Sequence, residues 1–374
     1  MIYLDYAASC PPFPEVISRI SAVAAEAFGN PGALHQAGAS GRQILQHSRI
    51  SLARLLKVRP EEIFFTSGGT EANNWAVQLG CGHPAKKHIL CSAAEHSSVL
   101  EPVRRLERNG YTITYLRPGR DGRICPEAVE DAIRSDTALL CIQAVNNETG
   151  VLQDVDALAS LAKRYHIRYF CDGVQSFGHT AQNLHKAQLI SLSAHKLGGP
   201  RGVGCLIVRQ PLEAPPMLLG GGQEFGSRSG TENTPGIAGF ALAAETAVRS
   251  LPAEQQRLND LRMLLETGLR EVCPEVQIAG EQAPRSSILS CRFPGIAAEE
   301  MVARLDLAGI CASPGAACAA GSSEPSHVLL SMGYAPGEAS EFVRFSPGRK
   351  TTRDEIHHTI RTIGEIYRKR SGRS

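Results

Sequence analysis

Between Glu62 and Arg209 the chain alternates short runs rich in β-branched and aromatic residues with segments of helical length. This rhythm restricts the fold more than any other feature. Strands are expected at residues 63–66, 88–92, 112–116, 138–145, 168–171, 189–193 and 203–208, with helices at 70–79, 126–134 and 155–165 between them. Strands joined through helix-length connections build a mostly parallel sheet with helices on both faces, an α/β fold. Such sheets take their ligands at the carboxyl ends of the strands, so functional residues are to be sought there.

After residue 209 the rhythm breaks into Pro- and Gly-rich sequence, PLEAPPMLLGGGQEFGSRSG, which reads as loop. An amphipathic helix follows at 253–272, then a strand at 287–293, a helix at 298–308, a glycine-rich loop and a last helix at 353–370. The expected division is a large domain, 15–250, and a smaller α+β domain, 251–374, on which residues 1–14 could pack. A chain of 374 residues suffices for both.

Composition excludes several function classes. A formal charge of +2 is too mild for a nucleic-acid binder. No apolar run is long enough to cross a membrane. The opening MIYLDYAASCPP lacks the basic start and apolar core of a signal peptide, so a cytoplasmic protein is expected. The eleven cysteines form no CxxC and no Cys/His cluster, and no metal site is expected. Cys91, Cys141, Cys171, Cys205 and Cys291 lie in apolar, strand-like runs and read as small buried hydrophobes.

The chemistry-bearing residues fall at strand ends. In SAHKLGGPRG, Lys196 follows a buried-looking strand and precedes a glycine turn. Packing explains a lysine there poorly, whereas a desolvated amine suits a Schiff base. Ser193 and His195 flank it and could bind a phosphate. In TSGGTEANN, Gly69 and Thr70 open a helix whose bare N–H groups form an anion site. In YFCDGVQS, Asp172 ends an apolar strand, where a carboxylate is costly without a cationic partner. The protonated pyridine nitrogen of pyridoxal phosphate is such a partner, a helix N-cap the plainer alternative. Gln175, three residues on, could bond the ring's phenolic oxygen. His96 of SAAEHSSVL could stack on a flat cofactor, and Asn147 of VNNETG lies at another strand end.

Two further residues stand apart. Cys318 lies in SPGAACAAGSSEP, a run of small residues with little to anchor it, where a thiol is accessible and reactive. Arg344 in VRFSPGR could clamp a carboxylate with both edges of its guanidinium, a surface ion pair being the plainer alternative.

Taken in order and spacing, YLDYAAS, GNPGALH, TSGGTEANN, AAEHSSVL, VNNETGVLQD, CDGVQS, SAHKLGGPRG, GGGQE, RSGTEN, the GAAC loop with EPSHVL, and RFSPGR resemble the NifS/IscS-like cysteine desulfurases of the class-V aminotransferase family. The likeness runs from Tyr3 to about residue 360. It implies a fold-type I pyridoxal-phosphate homodimer, its large domain built on a mostly parallel seven-stranded sheet. It implies that Lys196 bonds the cofactor and that Gly69, Thr70, Ser193 and His195 hold its phosphate, with Thr231 contributed by the partner subunit. Asp172, Gln175, His96 and Asn147 would position the ring, His96 acting in catalysis, while Arg344 and Asn147 would meet the substrate L-cysteine. Cys318 would take the sulfur as a persulfide and release alanine, for delivery to an acceptor protein in iron–sulfur assembly, tRNA or DNA thiolation, or cofactor synthesis. A selenocysteine lyase and another aminotransferase-family enzyme are the alternatives.

The chain departs from the family pattern where Glu224-Phe225-Gly226 replaces a stretch reading ERG, and where Ala319 replaces a threonine after the cysteine. It also ends soon after RFSPGRKTT, so contact with an iron–sulfur scaffold through a longer tail is not expected.

Overall fold

The computed structural model describes residues 1–82, 85–209, 216–315 and 324–371. Seven strands form the main sheet: β1 (Ile63–Thr66), β2 (His88–Ser92), β3 (Thr112–Leu116), β4 (Thr137–Cys141), β5 (Arg168–Asp172), β6 (Leu189–Ser193) and β7 (Gly204–Val208). Their spatial order is β1-β7-β6-β5-β4-β2-β3. Every pairing from β6 outward to β3 is parallel, and β7 runs antiparallel to both of its neighbours. The reversal follows from chain length: the connection from Ser193 to Gly204 is too short for a crossover, so β7 returns as a hairpin partner of β6. Strands β2, β4, β6 and β7 are buried at every residue, as expected for a sheet covered on both faces.

Cys91, Cys141, Cys171, Cys205 and Cys291 are all fully buried and free, as their apolar settings suggest. The strand expected at 138–145 stops at Cys141, and Val145 instead bridges Leu152 across a loop.

The largest difference from expectation is a helix. In place of one beginning at 253, a single helix runs Thr234–Val272 and carries Pro252 inside it. Its two halves bury different stripes: Ile237, Phe240 and Ala244 join the core over the main sheet, whereas Leu258, Leu265 and Leu269 join a second core. A single-face pattern is therefore broken near Pro252 although the helix is not. Two helices near the start, Pro14–Glu26 and Gln36–Leu56, lie against it.

The second core belongs to a four-stranded antiparallel sheet of β8 (Gln277–Ile278), β9 (Leu289–Arg292), β10 (Ser313–Pro314) and β11 (Phe342–Phe345), in the order β10-β11-β9-β8. The helices Ala298–Leu307 and Arg353–Ser371 accompany it. The first residues of the chain join this unit. Ile2–Tyr3 run parallel to Ile310–Cys311, Leu4 is fully buried in the second core, and Asp5 bridges Ser346. The chain then crosses to the main sheet, where Phe13 packs. Residues 5–10 thus form a strap between the two cores. Among the described residues no helix is long and apolar enough to cross a membrane.

Candidate active site

Because β1 and β6 both run antiparallel to β7, six of the seven strands end on the same edge of the sheet. That edge carries Gly69, Thr70, His96, Asp172, Gln175, Ser193, His195 and Lys196 at or just beyond its strand ends.

At the end of β1, Thr66, Ser67 and Gly68 turn into the helix Gly69–Gly80, whose N-cap Gly68 has no side chain to cap the first N–H groups. The hairpin of β6 and β7 presses closely on this turn. A Cβ on Gly204 would lie 2.7 Å from the carbonyl carbon of Gly68, so only glycine fits there. Beside it lies a cavity of about 450 Å³ lined by Gly69, Thr70, Ser193, His195 and Arg201. All four residues expected to hold a phosphate line this cup. The His195 imidazole is pushed down to about 4, first by desolvation and then by the positive charges of Lys196 and Arg201. It is therefore neutral at pH 7, and its Nδ1 lies 3.3 Å from Ser9 Oγ.

Lys196 stands in the helical turn that continues β6. Its Nζ donates to the carbonyl oxygens of Ala7 and Ala8 at 2.7 and 2.9 Å. Its own carbonyl accepts from Cys10 Sγ at 2.7 Å and lies 2.9 Å from His179 Nε2. The strap therefore holds the lysine at both ends, a contact the sequence reading does not contain. Gln175 joins the same carbonyl of Ala7 through Nε2 at 2.8 Å.

Asp172 closes β5 and is 7% exposed. Its Oδ1 accepts from the Val174 amide at 2.9 Å, so it does brace the following turn. Its Oδ2 accepts from Asn73 at 2.8 Å. His96 caps the helix Ser97–Arg108, Nδ1 accepting from the Ser98 amide at 3.1 Å.

Asn147 sits in the loop closed by the Val145–Leu152 bridge. Gly150 makes that loop possible: its φ of +74° is left-handed, and a Cβ there would lie 2.6 Å from the Ile288 carbonyl oxygen. Arg344, on β11, is only 2% exposed, which removes the surface ion-pair alternative. It donates from Nη1 to the Asn147 carbonyl at 2.9 Å and from Nη2 to Asp5 Oδ1 at 2.8 Å. The Nε of Arg344 and the Oδ1 of Asn147 are both buried without a hydrogen-bond partner among the described residues.

One expected residue is not brought in. Thr231 is exposed and does not line its own chain's cup. Cys318 lies outside the described residues, as does Ala319. Between residues flanking that segment stands Glu148, which sequence reasoning passed over within VNNETG. Its buried carboxyl accepts from Ser326 Oγ at 2.5 Å and would lie 3.2 Å from a Cβ on Gly315. Burial pushes it up to about 7, against the lowering effects of Ser326 and Arg344. At the departing Glu224-Phe225-Gly226, Glu224 forms a buried ion pair with Arg49 at 2.6 Å, and the Phe225 ring covers the Arg49 guanidinium at 5.0 Å.

An anion cup, a buried carboxylate and a lysine on one edge of such a sheet define a class, and sequence comparison agrees. The chain belongs to the class-V aminotransferase family, whose profile matches residues 2–358. Within it, the chain is 37% identical to the cysteine desulfurase IscS of Dictyoglomus turgidum, covering 98% of this chain and 95% of that one. It is 40% identical to the cysteine desulfurase IscS of Shewanella piezotolerans, over 97% and 92%. Among solved structures, a NifS-like protein superposes with a TM-score of 0.90 at 31% identity, covering 98% of each chain.

Proposed function

We propose that this chain is a cysteine desulfurase that converts L-cysteine to L-alanine and takes the sulfur onto Cys318 as a persulfide. The observation that carries this is the convergence at one sheet edge of Lys196, the Asp172 carboxylate and the cup of Gly69, Thr70, Ser193 and His195. That donor set fits pyridoxal 5'-phosphate. An uncapped helix start and a neutral His195 suit a phosphate. A carboxylate whose two oxygens are already fixed by Val174 and Asn73 suits a protonated pyridine nitrogen. The orphaned Oδ1 of Asn147 and Nε of Arg344 are the buried atoms a bound ligand would satisfy.

When bound, the cofactor supplies an electron sink for bond breaking at the substrate's Cα and Cβ. The chain's residues do the rest. Lys196 would provide the amine that bonds the cofactor, and Asp172 would keep a negative charge opposite its ring nitrogen. Gln175 and Asn147 would position the ring, and His96 would stack on it and handle protons. Arg344 grips the substrate carboxylate, its guanidinium steadied by Asp5 and the Asn147 carbonyl. The Cys318 thiolate attacks the substrate sulfur; the C–S bond breaks, sulfur stays on Cys318, and alanine leaves.

The same reading makes the enzyme a homodimer, with Thr231 serving the partner's cup, and its domains 15–250 and 251–374 with residues 1–14 on the second. The two separate hydrophobic cores support that division. Supplying L-cysteine together with a thiol reductant, which releases the persulfide sulfur as sulfide, to the pyridoxal-phosphate-loaded protein and measuring both products tests the reaction. Alanine and sulfide in equal amounts are expected; pyruvate, or transfer of the amino group to a keto acid, would contradict it.

A further inference from the structure

Behind Asp172 runs a chain of polar contacts that the mechanism above does not use. Asn73, on the helix Gly69–Gly80, is 2% exposed. Its Nδ2 donates to Asp172 Oδ2 at 2.8 Å and to Ser98 Oγ at 2.8 Å. Ser98 Oγ lies 2.7 Å from His96 Nδ1, and the Ser98 backbone N–H donates to that same nitrogen at 3.1 Å.

The direction of each bond can be worked out. A backbone N–H only donates, so Nδ1 of His96 is an acceptor and carries no proton. Ser98 Oγ accepts from Asn73 and therefore has its own hydroxyl proton to give to Nδ1. The Asn73 amide cannot be turned round, because its oxygen would then face a carboxylate oxygen. Its two protons go to Asp172 and Ser98, and its Oδ1 is left buried without a partner among the described residues. The neutral His96 ring then holds its proton on Nε2.

We propose that Asn73 is a positioning residue of this site: one amide orients the Asp172 carboxylate and, through Ser98, holds His96 with its proton on Nε2. This rests on the reading that Asp172 and His96 serve pyridoxal phosphate. The group facing the ring nitrogen and the group covering the ring are thereby set by a single side chain. The orphaned Asn73 Oδ1 marks the cost of that arrangement, which packing alone gives no reason to accept.

The test compares holoenzymes of the native chain, Asn73→Ala, Ser98→Ala, Ser98→Thr and the double alanine variant. Three quantities are read: the dissociation constant for pyridoxal phosphate, the pH midpoint of the bound cofactor's visible absorption, and the unfolding temperature. Asn73→Ala should bind the cofactor about tenfold more weakly, the scale of one hydrogen bond to a charged group, and should move the pH midpoint. Ser98→Ala should move it in the same direction, and Ser98→Thr, which keeps the hydroxyl, should match the native chain. The double variant should lose less than the product of the two single losses, because the residues act in one network. A lower unfolding temperature with an unmoved midpoint makes Asn73 merely structural and overturns the proposal, as do single effects that multiply. Should Asn73→Ala fail to fold, a native midpoint in Ser98→Ala does the same. A native protein that takes up no pyridoxal phosphate overturns the reading of the site itself. Native uptake with an indifferent Asn73→Ala overturns the proposal alone.

Discussion

The buried guanidinium of Arg344 meets the half-buried carboxylate of Asp5, Nη2 to Oδ1 at 2.8 Å, although 339 residues separate them in the chain. The aspartate comes from the strap and the arginine from β11, so the pair fastens the start of the chain to the substrate-gripping side chain. Removing Asp5 leaves the buried Arg344 guanidinium short of its partner, at a cost of at most about 3 kcal/mol. Asp5→Ala should therefore lower stability by up to that amount and raise KM for L-cysteine more than it lowers kcat, because Arg344 loses one of its two fixed anchors. Asp5→Asn, which can still accept a hydrogen bond, should recover most of the KM. Denaturant unfolding and steady-state kinetics on both variants check this; equal KM in all three proteins would detach Asp5 from the site.

Glu148 gives a pH dependence with a definite sign. Its folded carboxyl is pushed up to about 7, while an unfolded glutamate titrates near 4.3. Between those values the folded chain holds a proton that the unfolded chain has lost. Stability contributed by this group is thus intact below about pH 4, falls as pH rises towards 7, and stays low above it. The full difference is about 4 kcal/mol at most. Glu148→Gln keeps an acceptor for Ser326 and removes the titration. Its stability relative to the native chain should rise between pH 5 and pH 7.5 in denaturant melts. A gap that stays flat with pH contradicts the assignment.

Lys196→Ala should purify without the covalently held chromophore, because Lys196 directly follows His195 of the cup and no other described lysine lines it. Loss of the two bonds to Ala7 and Ala8 should also loosen the strap, detectable as faster backbone amide exchange at residues 7–10. An unchanged visible spectrum in this variant would remove Lys196 from its role.

Asp172→Asn tests the charge opposite the ring nitrogen. Asp172 Oδ1 accepts from Val174 and Oδ2 from Asn73, so an amide NH2 would face one of two donors. Turnover should fall by a factor on the order of a hundred, the scale of losing one preorganised electrostatic partner. Thermal stability should drop modestly through the opposed donors. Near-native turnover contradicts the role.

Much of this site is legible in the sequence, because strand ends carry local signatures. Lys196, Asp172 and the turn at Gly69 and Thr70 each follow an apolar run, and the sheet brings those ends together. The strap was not legible. Nothing near Asp5 or Ala7 announces that their partners are Arg344, Gln175 and Lys196, since those contacts depend on how two cores are juxtaposed. Asn73 was hidden for a different reason: in TEANN two adjacent asparagines look alike, and only helix phase turns one towards Asp172 while the other bonds back to Thr70. Glu148 read as part of a polar loop because burial of a loop residue leaves no mark on its neighbours. Only the second half of the long helix is legible, from residue 253, because the packing partner changes near Pro252 while the helix continues.

The central claim is that sulfur leaves the substrate onto Cys318, and intact-mass measurement after incubation with L-cysteine tests it most directly. The native chain should gain the mass of one sulfur, mapped by peptide analysis to Cys318 and removed by a thiol reductant. Cys318→Ser should still bind pyridoxal phosphate yet gain no sulfur and release almost no alanine, because a hydroxyl is a far poorer nucleophile at neutral pH. Equal alanine release from both proteins, or a persulfide mapped to one of the other ten cysteines, would contradict the account.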